Sequence, residues 1–334
     1  MSSPGLRLLG VLLVGGPVLV LSVLLSLVIG SVDLDLATLI RVLQGTETGP
    51  AATILWELRL PRALLGAGVG SCLAMAGAAL QAILRNPLAD PYIVGTSAGA
   101  AFGATLAIIL GLQQPVLGLS PIPLLAFLGA LGAMAFVYRL ATIDGVLPAD
   151  TFLLSGVVVG AFLGSLVSFL MTLAHEELPR VVLWLMGSLE LASWDRCALL
   201  VPYLLLGGGG LLALALTLNL MTLGEETALQ LGVEVEKAKL RVVILAALLT
   251  AAAVSVSGLI GFLGLLVPHL ARGLVGPDHR VLLPASAVGG AVFLVLADAA
   301  ARTVAGSELP VGVITAGVGA PFFFLMLHRR KRLA

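Results

Sequence analysis

Residues 59–99 read RLPRALLGAGVGSCLAMAGAALQAILRNPLADPYIVGTSAG. The apolar part is about as long as a bilayer core is thick, which takes about 20 residues of helix. An arginine pair stands at one end and a polar, proline-broken turn at the other. A soluble core helix does not combine this length with so little charge, and the two ends suit different surroundings.

The rest of the chain has the same character. Of 334 residues, 59% are hydrophobic and 11% are charged, where a soluble domain carries about 25% charged residues. Such a chain cannot cover a water-facing surface and uses lipid as its solvent. At about 20 residues per span it holds roughly nine to eleven spans. Aromatic residues are only 5%, which argues against barrel strands with aromatic girdles. Helices are the remaining way to satisfy the backbone in hydrocarbon. The net charge of zero gives no bulk attraction to nucleic acid. Cys72 and Cys197 lie in or beside different apolar runs and read as apolar filler, not as a disulfide or metal framework. Only Arg7 precedes the apolar run 8–29, which is too long for a signal-peptide core and reads as an uncleaved first span. No sizeable soluble domain fits, so 1–334 reads as one transmembrane domain.

The apolar runs place spans at 8–30, 60–84, 93–112, 121–140, 151–173, 198–221, 241–258, 259–275, 281–303 and 311–328. Residues 31–49, SVDLDLATLIRVLQGTETG, have the spacing of a short interfacial helix. The run VVLWLMGSL at 181–189 is too short to span and reads as re-entrant or surface-lying. Residues 241–275 admit one long span or two short ones, since Gly258, Gly261 and Gly264 permit a break and Pro268 a kink. Ten spans with the N-terminus inside place twelve Lys/Arg inside and six outside, and nine spans give eleven against seven, a weak preference for ten. Either way the cluster HRRKR at 328–332 is cytoplasmic.

Few ionisable residues lie deep in these spans. Asp298 and Arg302 stand one turn apart near a span end and are read as a pair. Ion-coupled transporters usually carry an intramembrane acid or base, so that class is the less favoured alternative. A membrane enzyme would need a clustered nucleophile or metal set, which the sequence does not offer. His269 and His279 are ten residues apart without metal-ligand spacing and read as polar interface residues. No G-x-x-x-x-G-K-[ST] loop occurs, so the chain does not bind ATP in the usual way and a separate ATPase is the simplest energy supply.

Three segments stand out. The turn RNPLADP at 85–91 is either an ordinary hairpin turn or a gate at the inner mouth of a pathway. The loop LGEETALQLG at 223–232 is either a charged connector followed by snorkelling Lys237, Lys239 and Arg241, or a short helix docking into an ATPase. In the second reading Glu225 and Glu226 favour its first turn, Ala228 allows a close surface and Gly232 caps its end. Arg59 and Arg62 share a helix face, and either snorkel to headgroups or bind carboxylates of a docking protein.

Together these residues resemble the FecCD/BtuC-type permease family of bacterial ABC importers for iron chelates, haem and cobalamin. The resemblance is carried by RLPR…AGAALQAILRNPLADPYIVGTSAGA, by GFLGLLVPHLARGLVGPDHRVLLP, and by LADAAAR with ELPVGVITAGVGAPFFFLML. It implies an all-α integral membrane protein of ten transmembrane helices in the type II importer permease fold, so 241–275 forms two spans. It implies a bacterial inner-membrane location with both termini cytoplasmic. The implied partners are a second permease subunit, two ABC ATPases and a periplasmic or lipid-anchored substrate-binding protein. ATP and Mg sit on the ATPase, and this chain holds no cofactor or metal and is no enzyme. By the same resemblance Arg59, Arg62 and Arg302 receive acidic residues of the binding protein, and Asn86, Pro87 and Leu88 form the inner gate. Ser155, Gly156 and Gly160 line the pathway at the dimer axis. Gly224, Glu225, Glu226, Ala228, Leu231 and Gly232, within a loop of about 222–240, meet the ATPase.

Overall fold

A computed structural model of the chain describes residues 3–30, 35–112, 114, 120–304 and 308–331. Residues 31–34 of the interfacial stretch and Arg332 of the basic cluster lie outside these. The described residues form fourteen helical stretches that are wholly or mainly α-helix, a 3-10 turn at His175–Glu177 and one isolated bridge, Ile143 to Val146.

Helix α1 (Pro4–Val28) opens with Ser3 as its cap and Pro4 in its first turn, and presents mostly exposed apolar side chains. Helix α2 (Leu36–Leu43) is capped by Asp35, whose carboxylate accepts from the Thr38 N–H at 3.0 Å. Hydrogen bonding from the Thr38 side chain, and then from this N–H, holds the Asp35 carboxyl below its usual range. Leu39 and Val42 pack against Leu27 and Leu55 while Ile40 and Leu43 stay exposed, giving the two-faced helix read from the sequence.

Helix α3 (Pro50–Ile83) is 34 residues long and starts well before the expected residue 60. Gly49, at φ +108°, turns the chain into Pro50, which suits a first helical turn. It is the central helix and touches α8 (Trp194–Ala213), α11 (Val235–Ser257), α12 (Leu263–Val275) and α13 (His279–Ala301). Its glycines allow backbone contact. A Cβ at Gly70 would overlap the Gly290 carbonyl, and one at Gly77 the Gly264 carbonyl. This is the small-residue packing that replaces hydrophobic drive in lipid.

Helices α4 (Thr96–Ile109), α5 (Pro121–Ala141) and α6 (Ala149–Leu173) pack together on one side. Helix α7 (Leu178–Leu185) is the short piece at 181–189 and does not span. It is stitched to neighbouring ends by Ser188 N–H to Ser257 O at 2.8 Å and Gly312 N–H to Gly187 O at 3.3 Å. The sixth expected span is interrupted at Leu214, giving α8 and then α9 (Ala215–Thr222). After α10 (Glu225–Gln230) come α11, α12, α13 and α14 (Val311–Lys331).

Residues 241–275 do form two helices, broken at Gly258 (φ +68°) and Phe262 (φ +66°). At 14 and 13 residues, α4 and α12 are only about 20 Å long, short of a bilayer core of about 30 Å. Non-helical backbone at 90–95 and 258–262 precedes each. The two segments meet where the Ile260 N–H donates to Tyr92 Oη at 3.0 Å, and within the first Thr96 Oγ1 donates to Pro91 O at 2.6 Å. Irregular backbone at this level is tolerated because protein surrounds it and supplies the partners. Among the described residues, seven helices are long and apolar enough to cross a membrane, and three shorter apolar ones, at 96–109, 263–275 and 311–326, bring the number to ten.

Candidate functional site

The three sequence-selected arginines converge at one end of the bundle. Helix α1 ends there, and the last carbonyls of a helix lack partners of their own. Arg59 Nη1 donates to Leu27 O at 2.6 Å and Val28 O at 2.9 Å, and Arg302 Nη2 donates to Ser26 O at 3.0 Å. Cations at a helix C-terminus also meet the favourable end of its dipole. Arg302 Nε lies 3.3 Å from Asp298, the pair read from the sequence. Arg62 grips the same carboxylate from Nε and Nη2 at about 3.0 Å and sends Nη1 to Glu308 at 2.8 Å. Asp298 therefore bridges Arg62 and Arg302. A cleft of about 250 Å³ opens over this group, with all three arginines, Glu190 and Glu308 on its walls. Arg59 and Arg302 are buried, so they hold α1 in place as well as facing the cleft.

The opposite end carries the 85–91 turn and the 223–232 loop. Asn86 Oδ1 accepts from the Leu88 N–H at 3.0 Å, an Asx turn that stops α3. Arg85 adopts φ +47° before it and reaches toward the loop: a Cβ built on Gly224 would stand 3.8 Å from Arg85 Nη1. The two segments are thus neighbours. Helix α10 starts at Gly224 (φ +117°), carries Glu225 and Glu226 in its first turn, and ends at Gly232 (φ +85°). The Val233 N–H returns to Ala228 O and the Gly232 N–H to Leu229 O, both at 3.0 Å, a Schellman ending that needs the left-handed glycine. Ala228 is fully buried, so the surface it lets close is the chain's own body. The outward face is instead Leu229, 64% exposed, and Leu231, 58% exposed, with Glu226 and Thr227 beside them.

Lys239 does not snorkel as one sequence reading had it. It is 2% exposed and is held by Leu147 O, Glu225 and Glu236. Arg7 donates to Val275 O at 3.3 Å, which puts the start of α1 at this same end. His279 Nδ1 lies 2.8 Å from Asn219 Oδ1, and His269 packs edge-on against Phe322, so the two histidines do not come together.

On α6, Ser155 and Gly156 are buried, and a Cβ on Gly156 would strike Ile93 O. Gly160 is half-buried with open space beside it. The free face of α6 is Leu154, Val157, Val158, Phe162 and Phe169. Sequence reasoning missed Glu308 and the role of Leu147. Glu308 stands in the quoted ELPVG motif, and its acidic type was the available signal; Leu147 acts through its backbone and gave none.

These features, ten apolar helices among the described residues with an arginine-lined cleft at one end and a short surface helix at the other, define a polytopic transport subunit. The model of the FecCD transport family matches residues 18–329, and the chain belongs to that family. It is similar to the cobalamin import system permease BtuC of Halobacterium salinarum, 49% identical over 281 residues, covering 84% of this chain and 75% of that one. It is also similar to the hemin transport system permease HmuU of Yersinia pestis, 41% identical over 325 residues and 95% of each chain. A solved inward-facing conformation of an ABC transporter described as metal-chelate type superposes with a TM-score of 0.84. It is 34% identical and covers 96% of this chain and 99% of that one. The chain is thus the multi-pass permease subunit of an ABC importer, and not itself an enzyme.

Proposed function

We propose that the chain is the inner-membrane half-channel of an importer for a bulky metal chelate, of the haem, ferric siderophore or cobalamin class. Two copies form the pathway about a shared axis. Two ATPase subunits dock on α10 at the cytoplasmic end, and a substrate-binding protein docks over the arginine cleft outside. Both chain ends then lie in the cytoplasm. The observation that carries this reading is α10, a short helix held by Lys239 at Glu225 and by the Schellman ending at Gly232, with Leu229 and Leu231 out in solvent at the end where the 85–91 turn lies. An isolated exposed leucine is ordinary; a pair on a helix fixed at both ends forms a docking knob. The relatives named above are described as cobalamin, hemin and metal-chelate type transporters, and the free face of α6 is apolar. A pathway of that kind lets a large cargo pass without holding it. We assign the lining to Leu154, Val157, Val158 and Phe162, with Gly160 leaving room beside them, and place Ser155 and Gly156 behind it as the packing that fixes the face. Asn86, Pro87 and Leu88 close its inner mouth.

The arginine cleft already contains Glu190 and Glu308, so an incoming carboxylate gains most by replacing a resident one at Arg62. The test has two opposite signs. Arg62→Gln is expected to weaken binding-protein docking about tenfold at physiological salt, about 1.4 kcal/mol. Glu308→Gln is expected to strengthen it. ATPase co-purification stays unchanged in both. Docking affinity that ignores both substitutions, measured by surface plasmon resonance on nanodiscs, contradicts the outer-face assignment.

A further inference from the structure

Lys239 sits in the second turn of α11 and spends all three ammonium protons on three different elements. They go to Leu147 O at 2.8 Å, Glu225 Oε2 at 2.8 Å and Glu236 Oε1 at 3.0 Å. Glu236 Oε2 in turn accepts from the Leu147 N–H at 2.9 Å. Both backbone groups of Leu147 are therefore held by α11 side chains. Leu147 is buried and leads into Pro148, whose fixed φ joins it stiffly to α6. The turn before it is also stiff: Ile143 and Val146 exchange two backbone bonds at 2.9 Å across Asp144 and Gly145, both at positive φ. Glu225 lies in the first turn of α10.

A buried ion network is weak evidence for stability, since apolar residues of similar volume often do as well. A network that ties three separate elements at one atom is better explained by what it connects. Moving Glu225 away leaves a buried ammonium short of an acceptor, which is unfavourable, so the ammonium and its other partners follow.

We propose that Lys239 is a positioning residue: the pin through which displacement of α10 is passed to Leu147 and so to the start of α6. This rests on α10 being the ATPase contact. Movement of α10 then reaches the pathway-facing helix directly, in addition to the gate turn beside Arg85.

The test uses the permease assembled with its ATPase and binding protein in liposomes, comparing wild type with Lys239→Met. Hydrogen exchange is followed with and without MgATP, and uptake per ATP hydrolysed is measured with hemin and with cobalamin as probes. In wild type, nucleotide is expected to change exchange at both 225–230 and 143–152. In Lys239→Met the ATPase still co-purifies and the change at 225–230 persists. The change at 143–152 disappears, and cargo moved per ATP falls at least tenfold. A merely structural lysine would lower yield but leave the nucleotide response of 143–152 intact in the assembled fraction, and that result overturns the proposal. Should Lys239→Met not assemble, Glu236→Gln keeps the volume and loses the anion. Its nucleotide response at 143–152 should fall about threefold, and an unchanged response also overturns the pin. A wild-type complex in which 225–230 ignores nucleotide refutes the α10 assignment itself. One in which 225–230 responds and 143–152 does not refutes the pin alone.

Discussion

Gly77→Leu is expected to leave almost no folded permease, below a tenth of the wild-type monodisperse yield after detergent extraction. Gly77 lies in the middle of α3 with the Gly264 backbone directly against it, and an added Cβ overlaps that carbonyl. Overpacking against side chains costs about 1–3 kcal/mol because they can turn aside. A backbone carbonyl in α12 cannot, and α3 has no free side to move toward, being lined by α8, α11, α12 and α13. A second backbone contact one heptad away, at Gly70 and Gly290, holds the same helix at fixed distance. Against a total stability of about 5–15 kcal/mol, separating α3 from α12 is enough to unfold the bundle. Gly132→Leu is the matched control, since a Cβ there meets nothing within 4 Å. Equal size-exclusion profiles for the two variants would show that α3 does not hold the core as described.

Leu229→Glu combined with Leu231→Glu is expected to abolish association with the ATPase while the permease inserts and purifies normally. Both side chains are exposed in the subunit, so the substitutions cost its own fold little. Burying a leucine contributes about 1.5–3 kcal/mol, so losing both costs at least about 3 kcal/mol, roughly a hundredfold in affinity. Two carboxylates left in an apolar interface add to that. Ala228→Leu separates docking from placement: Ala228 is buried under α10, and a larger side chain there lifts the helix off its own subunit. Pull-down by a tagged ATPase measures both, and retention of the ATPase by the double variant would remove α10 from the interface.

The spans were legible because each apolar run is bounded by charge or proline, and the two-span reading of 241–275 matched the breaks at Gly258 and Phe262. The start of α3 was misread because Glu57 and Arg59 look like a loop in isolation. Arg59 enters the bundle only because α1, some thirty residues earlier, ends in unpartnered carbonyls at the right height. The snorkelling alternative for Lys239 fails for the same reason: Leu147, 92 residues away, supplies one of its acceptors. Ser155 and Gly156 were tied to the pathway by the resemblance alone, since on a helix apolar all round periodicity does not say which face meets protein and which stays free. The Schellman ending at Gly232 was readable, since its partners are local.

The most direct test of the account is transport by the purified chain in sealed liposomes, alone and then with its ATPase and binding protein. Inward accumulation of chelate is predicted only in the full assembly with MgATP, and no accumulation by the chain alone under an imposed proton or sodium gradient. Gradient-driven accumulation by the chain alone, without nucleotide, would contradict it.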